Sequence, residues 1–287
     1  MGKIRVGVIG GSGLYQIEGL SDVEQVDVAT PYGNPSDSIT IGTLSGQRVA
    51  FLPRHGRGHR ISPSELPARA NIYALKSLGV ERIIAVSAVG SLKEELRPLD
   101  VVIPDQLIDR TKGIRPPTFF GDGLVIHIAF AEPYCPQLSS ILLETARSIA
   151  PRVHQGATMV VMEGPQFSTK AESFFYRQME ADLIGMTALP EAKLAREAEI
   201  CYATIALVTD YDCWHETEES VTADLMVQNL LHNVDTAKKI IAAALPKLTQ
   251  SRDCGCSSAL QNAILTQRDL IPDAVKEKAP LLIQKYV

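Results

Sequence analysis

The chain has no apolar run approaching the roughly 20 residues that a membrane-crossing helix needs, so it reads as a protein that does not span a bilayer. It also has no basic excess. Its formal net charge of -5 creates no overall field that would favour nucleic acid or an anionic membrane. A ligand as negative as phosphate would therefore need positive charge concentrated locally. The opening residues Met1-Gly2-Lys3-Ile4-Arg5-Val6 lack an apolar core with a small-residue cleavage site, and Val6 stands where a myristoylation site wants Ser or Thr. The expected location is the cytoplasm. Cysteine is sparse and odd in number, at 135, 201, 213, 254 and 256, as is usual in a reducing compartment. Only Cys254-Gly255-Cys256 stands out. It reads as a close redox pair, as a bridge to another cysteine, or as two unpaired thiols in a polar loop. The common glycine fingerprints are missing as well. Gly10-Gly11-Ser12-Gly13 fits no frame of G-x-G-x-x-G, lacks the P-loop lysine, and does not place Ser12 in G-x-S-x-G.

What is present is an alternation. Hydrophobic residues make up 45% of the 287 and charged residues 21%, enough apolar material for the core of one large α/β domain or two small ones. Short β-branched runs at Ile4–Ile9, Arg48–Leu52, Arg82–Ser87, Val101–Ile103, Thr158–Met162, Leu183–Met186 and Cys201–Val208 read as strands. Helical spacing predicts helices over Glu65–Leu78, Cys135–Ile149, Thr169–Met179, Glu191–Glu199 (with Pro190 at its first position) and Ala223–Leu245. There is no internal repeat. This order predicts a mixed, mostly parallel central sheet flanked by helices. The main domain is expected over residues 1–250. After the polar stretch Ser251–Ser258, a helical extension over 251–287 is expected to pack on that domain or on a neighbouring subunit.

In such sheets ligands bind at the carboxyl ends of strands, and four polar clusters fall there, at Gly10–Gly13, Ser87–Gly90, Met186-Thr187 and Thr209–Asp212. The glycine turn at 10–13 offers backbone N–H groups and the Ser12 hydroxyl to an oxyanion, although such a sequence is as often only a tight turn. Pro53-Arg54-His55-Gly56-Arg57-Gly58-His59-Arg60 is the densest basic segment. Arg54 can hold phosphate by two parallel bonds, with His55 as a further donor. His55 and His59 alone are too few for a metal site, and two glycines between them argue against a helix. Ser87-Ala88-Val89-Gly90-Ser91 is small enough for a ligand to come close. Glu163-Gly164-Pro165-Gln166-Phe167 offers an aromatic that either stacks on a flat base or packs into the core. Thr209-Asp210-Tyr211-Asp212 sets two carboxylates at i and i+2. On an extended chain they point the same way, so one can accept from an amine while the other donates a proton. A capped turn explains the same residues.

Taken together and in order, these segments resemble the trimeric purine nucleoside phosphorylase family and its methylthioadenosine-cleaving branch. The resemblance extends through Thr30-Pro-Tyr-Gly-Asn-Pro-Ser-Asp37, Ala70-Asn71-Ile72, Asp105-Gln106, Ile108-Asp-Arg110, Ala131-Glu-Pro133, Met162-Glu-Gly-Pro-Gln-Phe167, Ala171-Glu-Ser173 and Thr209-Asp-Tyr-Asp-Cys-Trp214, to about residue 245. It implies a homotrimeric glycosyltransferase that cleaves a purine nucleoside with phosphate, acts in purine and methionine salvage, and uses neither metal nor cofactor. It implies that Ser12, Arg54, His55, Ser87, Ala88 and Thr187 bind phosphate, and that Met186 lies against the ribose. Phe167 would flank the purine, with Asp210 and Asp212 at its edge as catalytic residues. His127 would come from the adjacent subunit. Ala223 and Met226 would surround the 5′ group, with Leu270 a weaker candidate there. Relatives that cleave 6-oxopurine nucleosides or methylthioinosine tend to read the base with Glu and Asn, so two aspartates favour a 6-amino purine. A dinucleotide-binding oxidoreductase and a non-catalytic nucleoside-binding protein are the alternatives from other classes.

Overall fold

Strand β1 (Val6–Gly10) is buried at every position, as a strand covered on both faces must be. Its side chains alternate. Val6 and Val8 enter one apolar cluster and Ile9 the other, following the twofold repeat of an extended chain. The same split occurs in β4 (Gln47–Pro53), with Val49 and Phe51 on one side and Ala50 and Leu52 on the other. Helices α1 (Ala68–Ser77) and α4 (Ala188–Glu197) cover the face of Ile9. Helices α2 (Pro136–Arg147) and α5 (Ala223–Ala244) cover the face of Val8. The result is a three-layer arrangement in a computed structural model that describes residues 3–11, 14, 16–215 and 223–287, without the side chains of 223–228 and 230–232.

The remaining strands are β2 (Ser21–Val26), β3 (Ile39–Leu44), β5 (Arg82–Ser91), β6 (Val101–Ile103), β7 (Gln106–Arg110), β8 (Val153–Gln155), β9 (Thr158–Met162), β10 (Leu183–Gly185) and β11 (Cys201–Asp210). With β1 and β4 they form, among the described residues, one 11-stranded mixed sheet with the path β2-β3-β4-β1-β5-β10-β9-β7. On the other side of β5, β11 pairs β5 and β6, and β6 pairs β8. The β1–β4, β1–β5, β5–β11, β9–β10, β7–β9 and β6–β8 pairs are parallel, and the other four are antiparallel. Helix α3 (Lys170–Gln178) begins at a capping box, in which Thr169 and Glu172 bond each other's backbone N–H.

The position of the site follows from the register of β5. Along one edge it pairs β1 through Val6↔Arg82 to Ile9↔Ala85. That edge is next paired by β10, at Ile184↔Gly90. Between them, Val86 to Val89 have no ladder partner on that side among the described residues, while β11 continues along the other. The gap forms the floor of a cavity.

Several expected boundaries shift for local reasons. The helix expected over Glu65–Leu78 divides at Pro67. Leu66, immediately before it, takes ψ 125, because a residue preceding proline avoids the helical region. The same rule puts Leu189 at φ -118, ψ 138 before Pro190, inside α4. The β2, β3, β7 and β8 strands were not expected. β2 is exposed at nearly every position and carries no alternating pattern to read. In the C-terminal extension, Leu260, Ala263, Ile271, Val275, Ala279, Leu282 and Ile283 join the apolar cluster that contains Ile9 and α1. Its helices, α6 (Asp273–Lys278) and α7 (Pro280–Ile283), are short.

Candidate active site

The cavity measures about 330 Å³. Its walls include Arg54, His55, Ser87, Ala88, Phe167, Met186, Thr187, Asp210 and Asp212. Nine residues singled out in the sequence thus meet in one place, from the ends of β4, β10 and β11, the unpaired stretch of β5 and the loop after β9. His127 is exposed and lies outside this wall, and so does Leu270, which is 65% exposed. Ser12 and the side chains of Ala223 and Met226 fall outside the described residues.

At one end, Arg54 is held rigidly. Its backbone N–H donates to Gly10 O at 2.8 Å. Its guanidinium makes two parallel bonds to Glu191, both 2.9 Å, and donates to Val86 O at 2.9 Å in the unpaired stretch of β5. The Arg54 fork is therefore spent on a buried carboxylate, Nη2 also donates to Ile9 O at 3.4 Å, and a ligand meets the one remaining Nη1–H rather than the fork itself. Tyr202 donates to the same Glu191 at 2.8 Å. His55 Nδ1 lies 2.8 Å from Ile61 O, so Nδ1 carries the proton and Nε2 is left as the acceptor of a neutral ring. Burial lowers the His55 pKa to about 4. A neutral His55 accepts a hydrogen bond at Nε2, which corrects the expectation of a further donor. The Ser87 and Thr187 hydroxyls stand 3.3 Å apart.

At the other end, the aspartates do not sit on an extended chain. Asp210 ends β11, and Asp212 has φ 51. Asp210 Oδ1 accepts the Asp212 N–H at 2.8 Å and Oδ2 accepts the Thr209 hydroxyl at 2.7 Å. The capped turn and the paired carboxylates are thus one structure. Burial raises the pKa of both aspartates. Among the described residues Asp212 Oδ2 is buried with no hydrogen-bond partner, and burial outweighs the nearby Ser173 and Ser168 hydroxyls in favouring its neutral, proton-donating form. Gly90 permits this packing: a Cβ there would meet Asp210 Oδ1 at 2.9 Å and Ile184 Cγ2 at 3.0 Å. Between the two ends, Met186 Sδ lies against Gly164, where a Cβ would come within 2.5 Å. Phe167 is 43% exposed at the rim, which favours a stacking surface over a core aromatic.

Residues absent from the sequence reading hold these walls. Arg115 pairs with Glu163 at 2.7 Å, both side chains about 5% exposed. It also donates to Met186 O at 2.5 Å, to Leu189 O at 2.9 Å and to the Glu163 carbonyl. It ties the end of β9 to the turn after β10. Asn229 and Asn233, one helical turn apart on α5, donate to Thr209 O at 2.5 Å and Val208 O at 3.0 Å, and so fix the end of β11. Arg115 lies in a stretch without periodicity and the asparagines in a strongly periodic helix, so no local pattern marks any of them.

Polar clusters around one cavity, with acids at one end and hydroxyls at the other, make this a candidate active site of an α/β enzyme. A sequence model described as "Phosphorylase superfamily" matches residues 5–246, and the chain belongs to that superfamily. It is 56% identical to the S-methyl-5'-thioadenosine phosphorylase of Gloeobacter violaceus, over 99% of this chain and 96% of that protein. It is also 56% identical to the enzyme of that name from Chloroflexus aurantiacus, over 100% and 99%. A crystal structure of a methylthioadenosine phosphorylase from an Antarctic soil metagenomic library superposes with a TM-score of 0.93 at 52% identity, covering 98% of this chain and 99% of that one. The Schistosoma mansoni methylthioadenosine phosphorylase in complex with adenine superposes with 0.84 at 37% identity, over 93% and 100%.

Proposed function

We propose that this protein is an S-methyl-5'-thioadenosine phosphorylase, converting 5'-methylthioadenosine and phosphate to adenine and 5-methylthioribose 1-phosphate. The observation that carries the reading is the polarity of the cavity. Two buried acids with raised pKa stand at one end, and the Ser87 and Thr187 hydroxyls with Arg54 at the other.

The ribosyl–purine bond stretches first, giving a sugar with oxocarbenium character. The purine gathers negative charge as it leaves. Asp212, through its free Oδ2, donates a proton to N7, and Asp210 accepts from the 6-amino group. Phe167 stacks on the base and Met186 lies under the ribose. Phosphate is held by Ser12, Arg54, Ser87, Thr187 and the backbone at Ala88, with its own hydroxyl donating to His55 Nε2. It attacks C1′, and its charge stabilises the sugar cation. Ala223 and Met226 are assigned to the 5′ group. An apolar pocket there separates methylthio from hydroxyl by about 1–3 kcal/mol.

His127 has no role in its own cavity and is assigned to that of an adjacent subunit in a homotrimer. The exposed Phe174, Phe175 and Met179 around α3 favour association, since exposed apolar groups of this size mark interfaces. The cytoplasm suits a chain whose cysteines are all free and in which no described helix is long and apolar enough to cross a membrane. There the reaction serves purine and methionine salvage, with phosphate as co-substrate and no catalytic cofactor.

The test is adenine release from 5'-methylthioadenosine with and without phosphate. Release independent of phosphate would make the protein a hydrolase. Faster hypoxanthine release from methylthioinosine would make it a 6-oxopurine enzyme.

A further inference from the structure

Away from the cavity, four of the five cysteines converge. Cys135 is the N-cap of α2, and its Sγ accepts the Leu138 N–H at 3.5 Å. Cys201 opens β11. Cys254 and Cys256 flank Gly255 at the start of the C-terminal extension. Their four Sγ atoms all lie within 4.8 Å of one another, with Cys201 Sγ 3.4 Å from Cys254 Sγ. Cys135, Cys201 and Cys256 are buried and Cys254 is partly so. The fifth, Cys213, bonds instead to Ser168 O near the cavity.

We propose that these four thiols form a structural zinc site that fastens the C-terminal extension to the sheet. A tetrahedron of sulfurs at the usual Zn–S distance of about 2.3 Å has edges of about 3.8 Å. The observed separations, from 3.4 Å up to 4.8 Å, need only small side-chain adjustments to match it. All four ligands come from protein and most are buried, which is the closed coordination of a structural rather than a catalytic site. Four thiolates select a soft, tetrahedral ion. Binding releases the four thiol protons and leaves a centre of net charge -2. The surroundings favour that charge. The Leu138 N–H and the N-terminus of α2 point at Cys135. Arg82, the Cα partner of Cys201 on β5, keeps a buried Nη1 that has no hydrogen-bond partner among the described residues and whose ion pair with Glu81 is long, at 3.9 Å.

The site lies at the start of β11, and the proposed acids follow its end. Ten residues of strand separate them by about 30 Å, so the ion takes no part in glycosidic cleavage. Its energetic role is in folding, because a site absent from the unfolded chain adds its binding free energy to stability. It joins three stretches distant in sequence, the entrance to α2, β11 and the extension.

The experiment measures metal in the untagged protein purified under reducing conditions from zinc-supplemented cells. The expected result is one zinc per chain. The chelated protein should take up Co(II) with the d–d and charge-transfer bands of a tetrahedral four-sulfur site. The variant carrying Cys254→Ser and Cys256→Ser should lose the metal and show a lower Tm, while retaining phosphorolysis at low temperature. If that variant does not fold, the stoichiometry and cobalt spectrum of the wild type decide. Three results would overturn the proposal: no zinc and no cobalt uptake, stoichiometric iron in place of zinc, or an intact mass short by one or two pairs of hydrogens, which would mean disulfides.

Discussion

Replacing Asp212 by asparagine keeps the size and shape of the side chain and removes only its ability to deliver a proton. In the unliganded protein Asp212 is buried, its Oδ2 has no hydrogen-bond partner among the described residues, and its pKa is raised by burial. General-acid help of the kind assigned to it is worth about 10²–10⁴-fold, which is about 3–5 kcal/mol of transition-state stabilisation. Asp212→Asn should lose turnover of 5'-methylthioadenosine by a factor in that range. The loss should nearly vanish with a nucleoside whose leaving group departs without protonation, such as a nitrophenyl riboside carrying the same 5′ group. Stability should move the other way. A buried, unpartnered carboxyl destabilises the fold when ionised, so the variant should melt at the wild-type temperature or above it. The pH profile gives a third reading. An acid with a raised pKa loses its proton as pH climbs through that value, so wild-type kcat should fall on the alkaline limb and the variant should lose the limb. Wild-type turnover in a fully folded Asp212→Asn protein would refute the assignment. An equal loss with the activated nucleoside would place the effect in binding.

Thr187→Val should raise KM for phosphate roughly 10- to 100-fold, the worth of one hydrogen bond to a charged group. Adenine affinity should be unchanged, which calorimetry can check. Arg115→Met leaves Glu163 buried and uncompensated, and should cost about 3–5 kcal/mol in urea denaturation. Glu197 lies buried against Thr118 and Phe119, and burial raises its pKa to about 7. Since its folded pKa exceeds its unfolded value near 4.5, the native state binds more protons between the two. Stability is therefore fullest at low pH and declines by up to about 3 kcal/mol as pH rises through 7. Glu197→Gln should flatten that decline in thermal melts between pH 5 and about 8.

The parts of this molecule legible in sequence were those whose physics is local. A buried parallel strand such as Arg82–Ser87 is a run of β-branched residues, and α3 follows from the helical spacing over Thr169–Met179. The cavity wall was legible because strand ends in α/β sheets carry polar clusters, and the clusters at 54–55, 87–88, 186–187 and 209–212 meet there. The missing parts depend on distant partners. β2 is polar, exposed and, among the described residues, paired as a strand with β3 alone. Arg115 acts through carbonyls 47 to 74 residues away, and four cysteines from three segments meet only in the fold. Asp210 and Asp212 fall between these cases. Their spacing fits either a capped turn or a pair of ligand-facing acids, and in the fold one turn sets both carboxylates on the cavity wall.

The charges of the cavity also constrain how phosphate is held. An acidic chain was expected to gather positive charge locally, yet the described cationic groups at this site are already matched. Arg54 is paired with Glu191 and Arg115 with Glu163, while burial keeps His55 neutral. With two further aspartates opposite, the cavity carries no positive excess among its described residues. On the proposed reading, phosphate is then bound mainly by hydroxyls, backbone N–H groups and the one remaining N–H of Arg54. These orient the anion without neutralising it. That suits a reaction in which phosphate is both nucleophile and counter-charge. A dianion fully quenched by free arginines would be a poorer nucleophile, and would give less stabilisation to the oxocarbenium-like sugar a few ångströms away. The corollary is that phosphate alone should bind weakly and bind more tightly once the cationic sugar, or an analogue of it, is present. By linkage, phosphate should tighten a cationic sugar analogue by the same factor. Titrating each ligand with and without the other by calorimetry measures both factors. Equal phosphate affinity in the absence and presence of a cationic sugar analogue would overturn this account of the phosphate end.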